Sequence, residues 1–178
     1  MTRNKIIFDG RIVHLAIETA DLPDGREIDL EIIRHPGGSV IVAVDDEQQV
    51  CLIRQFRHAA GGWIWELPAG VRDGAEAPEL TARRELKEEV GVEAKSWQSL
   101  GSLLSTPGFC DERLHLYLAQ DLSLGTAARE DDEFIEVHWL AMAQAVQMAA
   151  QGDIADAKTI VGLFRANEFL STHSSPKK

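Results

Sequence analysis

The stretch Gly70–Val92, GVRDGAEAPELTARRELKEEVGV, decides how the rest of the chain is read. Pro78 suits the first turn of a helix, where its missing N–H costs nothing, and Gly91 suits the C-terminal cap. Between them Ala82, Leu86 and Val90 recur every fourth residue and give one apolar stripe for a core. Glu85, Glu88 and Glu89 flank that stripe, with Glu88 and Glu89 three and four residues beyond Glu85. Like charges at those spacings cost about 0.2–0.5 kcal/mol per pair. They also crowd toward the C-terminal half, where the helix dipole disfavours anions. A helix selected for stability alone would more comfortably carry lysine there. The pattern suits a hard divalent cation, which takes several oxygen ligands and leaves waters for substrate phosphates to replace. Taken alone, the helix leaves a second reading open: a solvated acidic face with Arg84 paired to Glu88 across one turn.

The fixed positions around the helix choose between the two. Gly70, then five residues, Glu76, then seven residues, then Arg84-Glu85-Leu86-x-Glu88-Glu89-x-Gly91-Val92, resembles the signature of the Nudix hydrolases at every constrained position. Nine such positions within 23 residues make the match highly specific. The resemblance implies an α/β/α sandwich with a mixed sheet core, in which a loop-helix-loop binds Mg²⁺ or Mn²⁺. It implies Glu85 and Glu89 as metal ligands, and Glu88 as a ligand or a group bonded to one. The carbonyl of Ala69 is similar in position to a backbone ligand that the family uses. Arg84 would orient the glutamates and Glu76 would brace the loop, although both residue types also fit a supporting role.

Outward from this core, Glu66-Leu67-Pro68-Ala69-Gly70 resembles the ADP-ribose pyrophosphatase branch of the family. So does Thr106-Pro107-Gly108-Phe109, whose proline lies fifteen residues beyond Val92. Gln55-Phe56-Arg57 and the stretch Asp153–Thr159, DIADAKT, look like the same branch. Arg57, Glu66, Gly108 and Glu112 are therefore the candidates for holding substrate. Arg57 is a fixed cation at the end of a strand, suited to a phosphate or the terminal ribose, Glu112 could accept ribose hydroxyls, and Gly108 permits close backbone approach. Arg113 reads as structural. In this branch a loop at the place of Glu130-Asp131-Asp132-Glu133 carries a water-activating glutamate. Glu133 is the first candidate and Asp131 the second, with a box glutamate such as Glu88 as the alternative base.

Elsewhere the chain reads as strands around Lys5–Phe8, Arg11–Thr19, Ile28–Arg34, Ser39–Val44, Val50–Arg57 and Trp63–Leu67. Pro23-Asp24-Gly25 and Asp45-Asp46-Glu47 read as turns. Three more strands come later, at Trp97–Leu104, Leu114–Ala119 and Phe134–Leu140. Helices are expected at about Ala141–Gln151 and Ala157–Phe169, with Asp156 capping the second. Strands before and after one early helix, with helices at the end, make an α/β sandwich or α+β layer fold. The expected organisation is a β-rich extension over residues 1–38, the hydrolase domain over 39–170, and a disordered tail over 171–178.

Acidic residues number 29 against 18 basic ones, so the net charge is −11 at pH 7. That balance disfavours nucleic acid and anionic lipid as partners. It also means a phosphate-bearing substrate needs bound cations or locally placed arginines. The opening MTRNKIIFDGR lacks the apolar stretch of a signal peptide, and no run reaches the length of a membrane span. Cys51 and Cys110 carry no paired motif and read as inert thiols, so a cytoplasmic setting is expected.

The resemblance then implies metal-dependent cleavage of a nucleoside diphosphate compound, with ADP-ribose giving AMP and ribose 5-phosphate. A GDP-mannose or ADP-glucose type of substrate would use the same chemistry. Phe8 and His14 are the obvious stacking candidates before Phe56, so the base stays open. A domain that senses nucleotide sugars without turnover is the competing class; such domains tend to lose box glutamates, and this chain retains all of them. In related enzymes the N-terminal strands exchange across a two-fold axis, so a homodimer is expected.

Overall fold

The computed structural model describes residues 4–128 and 134–173. β1 (Asn4–Asp9), β2 (His14–Asp21) and β3 (Glu27–Arg34) form an antiparallel sheet of their own, in that order. The turn expected at Pro23-Asp24-Gly25 joins β2 to β3, closed by the Gly25 N–H donating to the Leu22 carbonyl at 2.9 Å. All six residues of β1 are exposed on this chain, Ile6 and Phe8 among them.

The remaining strands build the centre. β4 (Gly38–Ala43), β7 (Ala69–Val71), β8 (Val92–Leu104) and β9 (Arg113–Leu124) form a sheet in the order β7-β4-β9-β8. β4 and β9 run parallel and the other pairs antiparallel, so the sheet is mixed. β5 (Gln49–Arg57), β6 (Gly62–Glu66) and β10 (Ile135–Ala141) form a second, antiparallel sheet in the order β10-β5-β6.

Every residue of β4, GSVIVA, is buried, as expected of a strand covered on both faces. Alternate side chains go to opposite layers. Val40 and Val42 pack with Leu116, Leu118, Leu163 and Ala166 on the side of α2 (Met142–Gln151) and α3 (Ala157–His173). Ile41 and Ala43 pack with Cys51, Ala82 and Leu86 on the side of α1 (Pro78–Glu85). Fully buried residues such as Leu86, Leu116 and Leu163 are each worth roughly 1.5–3 kcal/mol. The molecule is thus an α/β/α sandwich with a mixed sheet, as its sequence led one to expect.

Three local departures shape the surroundings of the glutamates. The acidic helix is not α-helical to its end: Leu86–Val90 form a wider π turn, in which the Gly91 N–H reaches the Leu86 carbonyl. Both Leu86 and Glu89 are buried on that turn. Gly91 then takes the left-handed conformation at φ 74°, and β8 starts at once on Val92 rather than at Trp97. Glu93, Ala94 and Lys95 are weak strand formers, and pairing with β9 overrides them. Finally, Ala69 and Gly70, beyond the end of the strand expected at Trp63–Leu67, form with Val71 the short strand β7 against β4.

Candidate active site

The site is built where β7 passes under the acidic helix. Gly70 faces Ser39 in the register of β4 and β7. A Cβ built on Gly70 would lie 1.9 Å from Cδ of Glu85, so the Glu85 carboxylate occupies the notch that glycine leaves. Next to it the Ala69 N–H donates to Oε2 of Glu89 at 3.0 Å. Glu85 is 8% exposed and Glu89 2% exposed, whereas the Glu88 side chain is open to solvent. The Cys51 thiol is pushed up to about 12 by burial and by the negative charge of Glu89.

Arg84 is the cation that holds this acidic group together. Its Nη1 donates to Glu85 Oε1 at 2.6 Å and to Glu88 Oε2 at 3.0 Å. Its Nη2 donates to the Val71 carbonyl at 3.1 Å and to Glu76 Oε2 at 3.2 Å. Burial works against the charge on Arg84, but Glu76, Glu85 and Glu88 more than offset it and hold the guanidinium protonated. The Arg84 hydrogen bond in turn keeps the Glu76 carboxyl below its ordinary range, with help from Thr81. Arg72 donates twice to the Glu76 carbonyl, at 2.9 and 2.7 Å, and so braces the loop.

Three carboxylates therefore share one guanidinium, and a fourth, Glu89, is buried beside them. Among the described residues, no three acidic, histidine or cysteine side chains are arranged as a finished metal cage. The donor set nevertheless fits a hard cation: oxygen ligands only, two of them buried, with a deficit of positive charge. Glu85, Glu88, Glu89 and the backbone at Ala69 are the groups that could hold it.

Two clefts meet at this point. One, about 690 Å³, is lined by Arg84, Glu85, Glu88, Glu89 and Gln55, with Arg11 and Ile12 reaching in from the β1–β2 connection. The other, about 410 Å³, runs past Glu66, Glu112 and Lys158 over the apolar Leu104 and Val161. Arg57, Ala69, Gly70 and Val71 line both clefts, so the arginine and the notch lie at their junction.

The other candidate residues are spread around these clefts. Arg57 Nε donates to Oε2 of Glu66 at 2.8 Å, and Lys158 Nζ holds the other oxygen of Glu66. Glu66 is thus turned to cations of its own chain. Glu112 lines the second cleft with its carboxylate 3.5 Å from His35 Nδ1. Gly108 lies on the Thr106–Cys110 turn, outside the described lining of either cleft. Arg113 supports the fold by donating to Ser102 Oγ at 3.1 Å. Glu133 and Asp131 lie outside the described residues, as does the rest of their acidic run. The chain flanking that run is anchored beside the first cleft: the Ala128 N–H donates to the Glu88 carbonyl at 2.9 Å, and the Phe56 N–H to the Phe134 carbonyl at 3.3 Å.

Lys158 was not singled out from sequence, although a signal existed. A lysine in the first turn of a helix sits at the end where the dipole disfavours cations, as the glutamates of the acidic helix do at the other end. Its neighbours complete a clamp. The α3 cap is as expected, with the Thr159 N–H donating to Asp156 Oδ2 at 3.0 Å. The Thr159 hydroxyl accepts from the Leu67 N–H at 2.8 Å, which ties the β6–β7 connection to α3.

Comparison with known proteins accords with this geometry. Residues 34–162 match the model of the NUDIX domain. The chain is 39% identical over 155 residues to an ADP-ribose pyrophosphatase of Bacillus subtilis (strain 168), covering 86% of this chain and 84% of that one. It is 34% identical over 177 residues to an ADP-ribose pyrophosphatase of Mycobacterium tuberculosis (strain ATCC 25618 / H37Rv), covering 98% and 86%. A methanol dehydrogenase activator of Bacillus methanolicus is 37% identical over 159 residues, covering 88% and 86%. A crystal structure of an ADP compounds hydrolase superposes with a TM-score of 0.84 over 98% of this chain and 95% of that one, at 20% identity, which speaks to the fold. With the glutamate cluster, its glycine notch and the family match in agreement, this chain belongs to the Nudix family.

Proposed function

We propose that the chain hydrolyses the diphosphate bond of ADP-ribose to AMP and ribose 5-phosphate in a reaction that depends on a divalent metal. The observation that carries this reading is the junction of the two clefts: Arg57 and the Gly70 notch lie where they meet, and the acidic cluster lines the first cleft beside them. A molecule with a diphosphate in the middle and a bulky group at each end fits that arrangement. The names of the relatives favour ADP-ribose as that molecule.

Glu85, Glu88, Glu89 and the Ala69 carbonyl are the groups that would hold Mg²⁺ or Mn²⁺. Bound there, the ion supplies positive charge for the diphosphate and acidifies the attacking water. The chain itself contributes the rest. Arg84 aims Glu85 and Glu88 through its hydrogen bonds to both, and Arg57 offers a cation at the junction for a phosphate oxygen. Glu112 accepts hydrogen bonds from ribose hydroxyls in the second cleft. Glu133, or Glu88 in its place, removes the proton from the attacking water. Glu133 suits that role because both flanks of its loop are tied to the walls of the first cleft.

The protein works as a homodimer in the cytoplasm on this reading. Ile6, Ile7 and Phe8 are 71%, 48% and 57% exposed on β1, an apolar edge that a second copy would cover. Two free thiols suit a reducing compartment. Among the described residues no helix is long and apolar enough to cross a membrane.

The test is a product assay over ADP-ribose, GDP-mannose, ADP-glucose and a nucleoside triphosphate, each with Mg²⁺ and with Mn²⁺. AMP and ribose 5-phosphate from ADP-ribose, formed only with metal, is the expected result. Preferred turnover of the GDP-sugar would change the substrate and keep the chemistry. Binding of ADP-ribose without product would replace the enzyme by a sensor.

A further inference from the structure

Glu66 closes β6 as a 3% exposed carboxylate. Burial of such a charge is costly unless it is paired, and each oxygen has its own cation, Arg57 on one side and Lys158 on the other. The Lys158 side chain is itself 15% exposed and lies 3.0 Å from Asp156 Oδ2. Arg57 meets Glu66 through Nε alone. Among the described residues no acceptor is bonded to its two terminal nitrogens, and the side chain is 43% exposed where the two clefts join. Glu66 and Asp156 together balance Arg57 and Lys158, so the wall formed by these four side chains is neutral as built. Without Lys158 the same wall carries one negative charge, and Arg57 is left to neutralise Glu66 by itself. In a chain of net charge −11 that difference falls on the one face where a polyanion must approach.

We infer that Lys158 is a positioning residue for substrate binding: by sharing Glu66 with Arg57, it leaves the terminal nitrogens of Arg57 charged and directed for a diphosphate oxygen. This rests on the reading of the site as a diphosphate hydrolase. The placement explains why a lysine stands in the first turn of α3 against the helix dipole. It also explains why Asp156, Lys158 and Thr159 occur together. Asp156 and Thr159 fix the helix end to the β6–β7 connection, and Lys158 uses that fixed end to reach across to Glu66.

The experiment compares the full-length protein with Lys158→Met, Lys158→Arg, Glu66→Gln and the Glu66→Gln/Lys158→Met double variant. Three quantities are read: kcat and KM on ADP-ribose, the calorimetric affinity for inorganic diphosphate, and Tm. Lys158→Met is expected to raise KM and weaken diphosphate binding roughly tenfold, within the range of coupled neighbours, with a much smaller change in kcat. Lys158→Arg should stay near the parent. The double variant should recover most of the affinity, because losing Glu66 and Lys158 together returns the wall to neutrality. Should Lys158→Met fail to fold, the double variant is expected to bind diphosphate about as tightly as Glu66→Gln alone, because Lys158 acts through Glu66, and a large further loss on removing Lys158 there would overturn the inference. A loss of Tm without any change in affinity would overturn the inference, as would a double variant that binds no better than Lys158→Met. If the parent protein fails to turn over ADP-ribose, the substrate reading falls, while the diphosphate titration still decides the role of Lys158.

Discussion

At the scale of single residues, Gly70 matters more to the site than its size suggests. The Glu85 carboxylate occupies the space where a side chain at position 70 would start, 1.9 Å from the ideal Cβ. A methyl group there must displace Glu85 or push β7 away from β4. Gly70→Ala is therefore expected to cost far more in turnover than in stability, because Glu85 can rotate outward with the sandwich unchanged. Steady-state kinetics beside a thermal melt would check this. A variant with normal kcat/KM would show that the notch does not set the position of Glu85. The sequence marked Gly70 only as the first fixed position of a signature, and its physical reason lies in a contact across fifteen residues of chain.

At the scale of elements, the apolar run of β4 and the four-residue stripe of the acidic helix were legible because each reflects burial in the core. The cluster Glu85, Glu88 and Glu89 was legible as an electrostatic cost without a local benefit. What escaped notice depends on partners distant in sequence. The early start of β8 comes from pairing with β9. Lys158 acquires meaning only when α3 meets β6. The same holds for Arg34, which bonds Glu18 on β2 and Asp111 beyond the Thr106–Cys110 turn. Burial alone would raise the Asp111 carboxyl, but hydrogen bonds from Arg34 and from the His35 N–H bring it below its ordinary value. A carboxyl depressed in the folded state adds stability that is complete above its unfolded value, about 3.9, and is lost as the pH falls through the folded one. Asp111→Asn should consequently flatten the acid limb of the stability curve below about pH 4 and change little at pH 7 in that slope. Urea titrations at stepped pH would measure it, and identical acid limbs in the two proteins would contradict the assignment.

At the scale of the whole molecule, the outline is a sandwich carrying a separate three-stranded sheet whose outer strand is exposed along its length. An isolated edge with Ile6, Ile7 and Phe8 open to water is a pairing surface by nature. The same extension lends Arg11 and Ile12 to the glutamate cleft, so assembly and activity are expected to be linked. Sedimentation at micromolar concentration should give a dimer, and Phe8→Asp should shift it toward monomer with reduced turnover. A monomeric parent protein of full activity would contradict that view. The acidic surface adds a consequence for the proposed substrate: with a net charge of −11, a diphosphate would be drawn in where cations stand, as at Arg57 and, on the proposed reading, at the glutamates with metal bound.

All three scales converge on the buried pair of glutamates. Glu89→Gln keeps the volume and the acceptor for the Ala69 N–H but removes one charge from the donor set. Turnover of ADP-ribose by this variant, measured with saturating Mg²⁺ beside the parent protein and with Mn²⁺ affinity read separately, is the most direct test of the central claim. Loss of a metal ligand removes several kcal/mol of charge stabilisation, so kcat should fall by roughly a hundredfold or more, with weaker Mn²⁺ binding and an unchanged fold. Full activity and unchanged Mn²⁺ affinity in Glu89→Gln would contradict the metal site proposed at these glutamates.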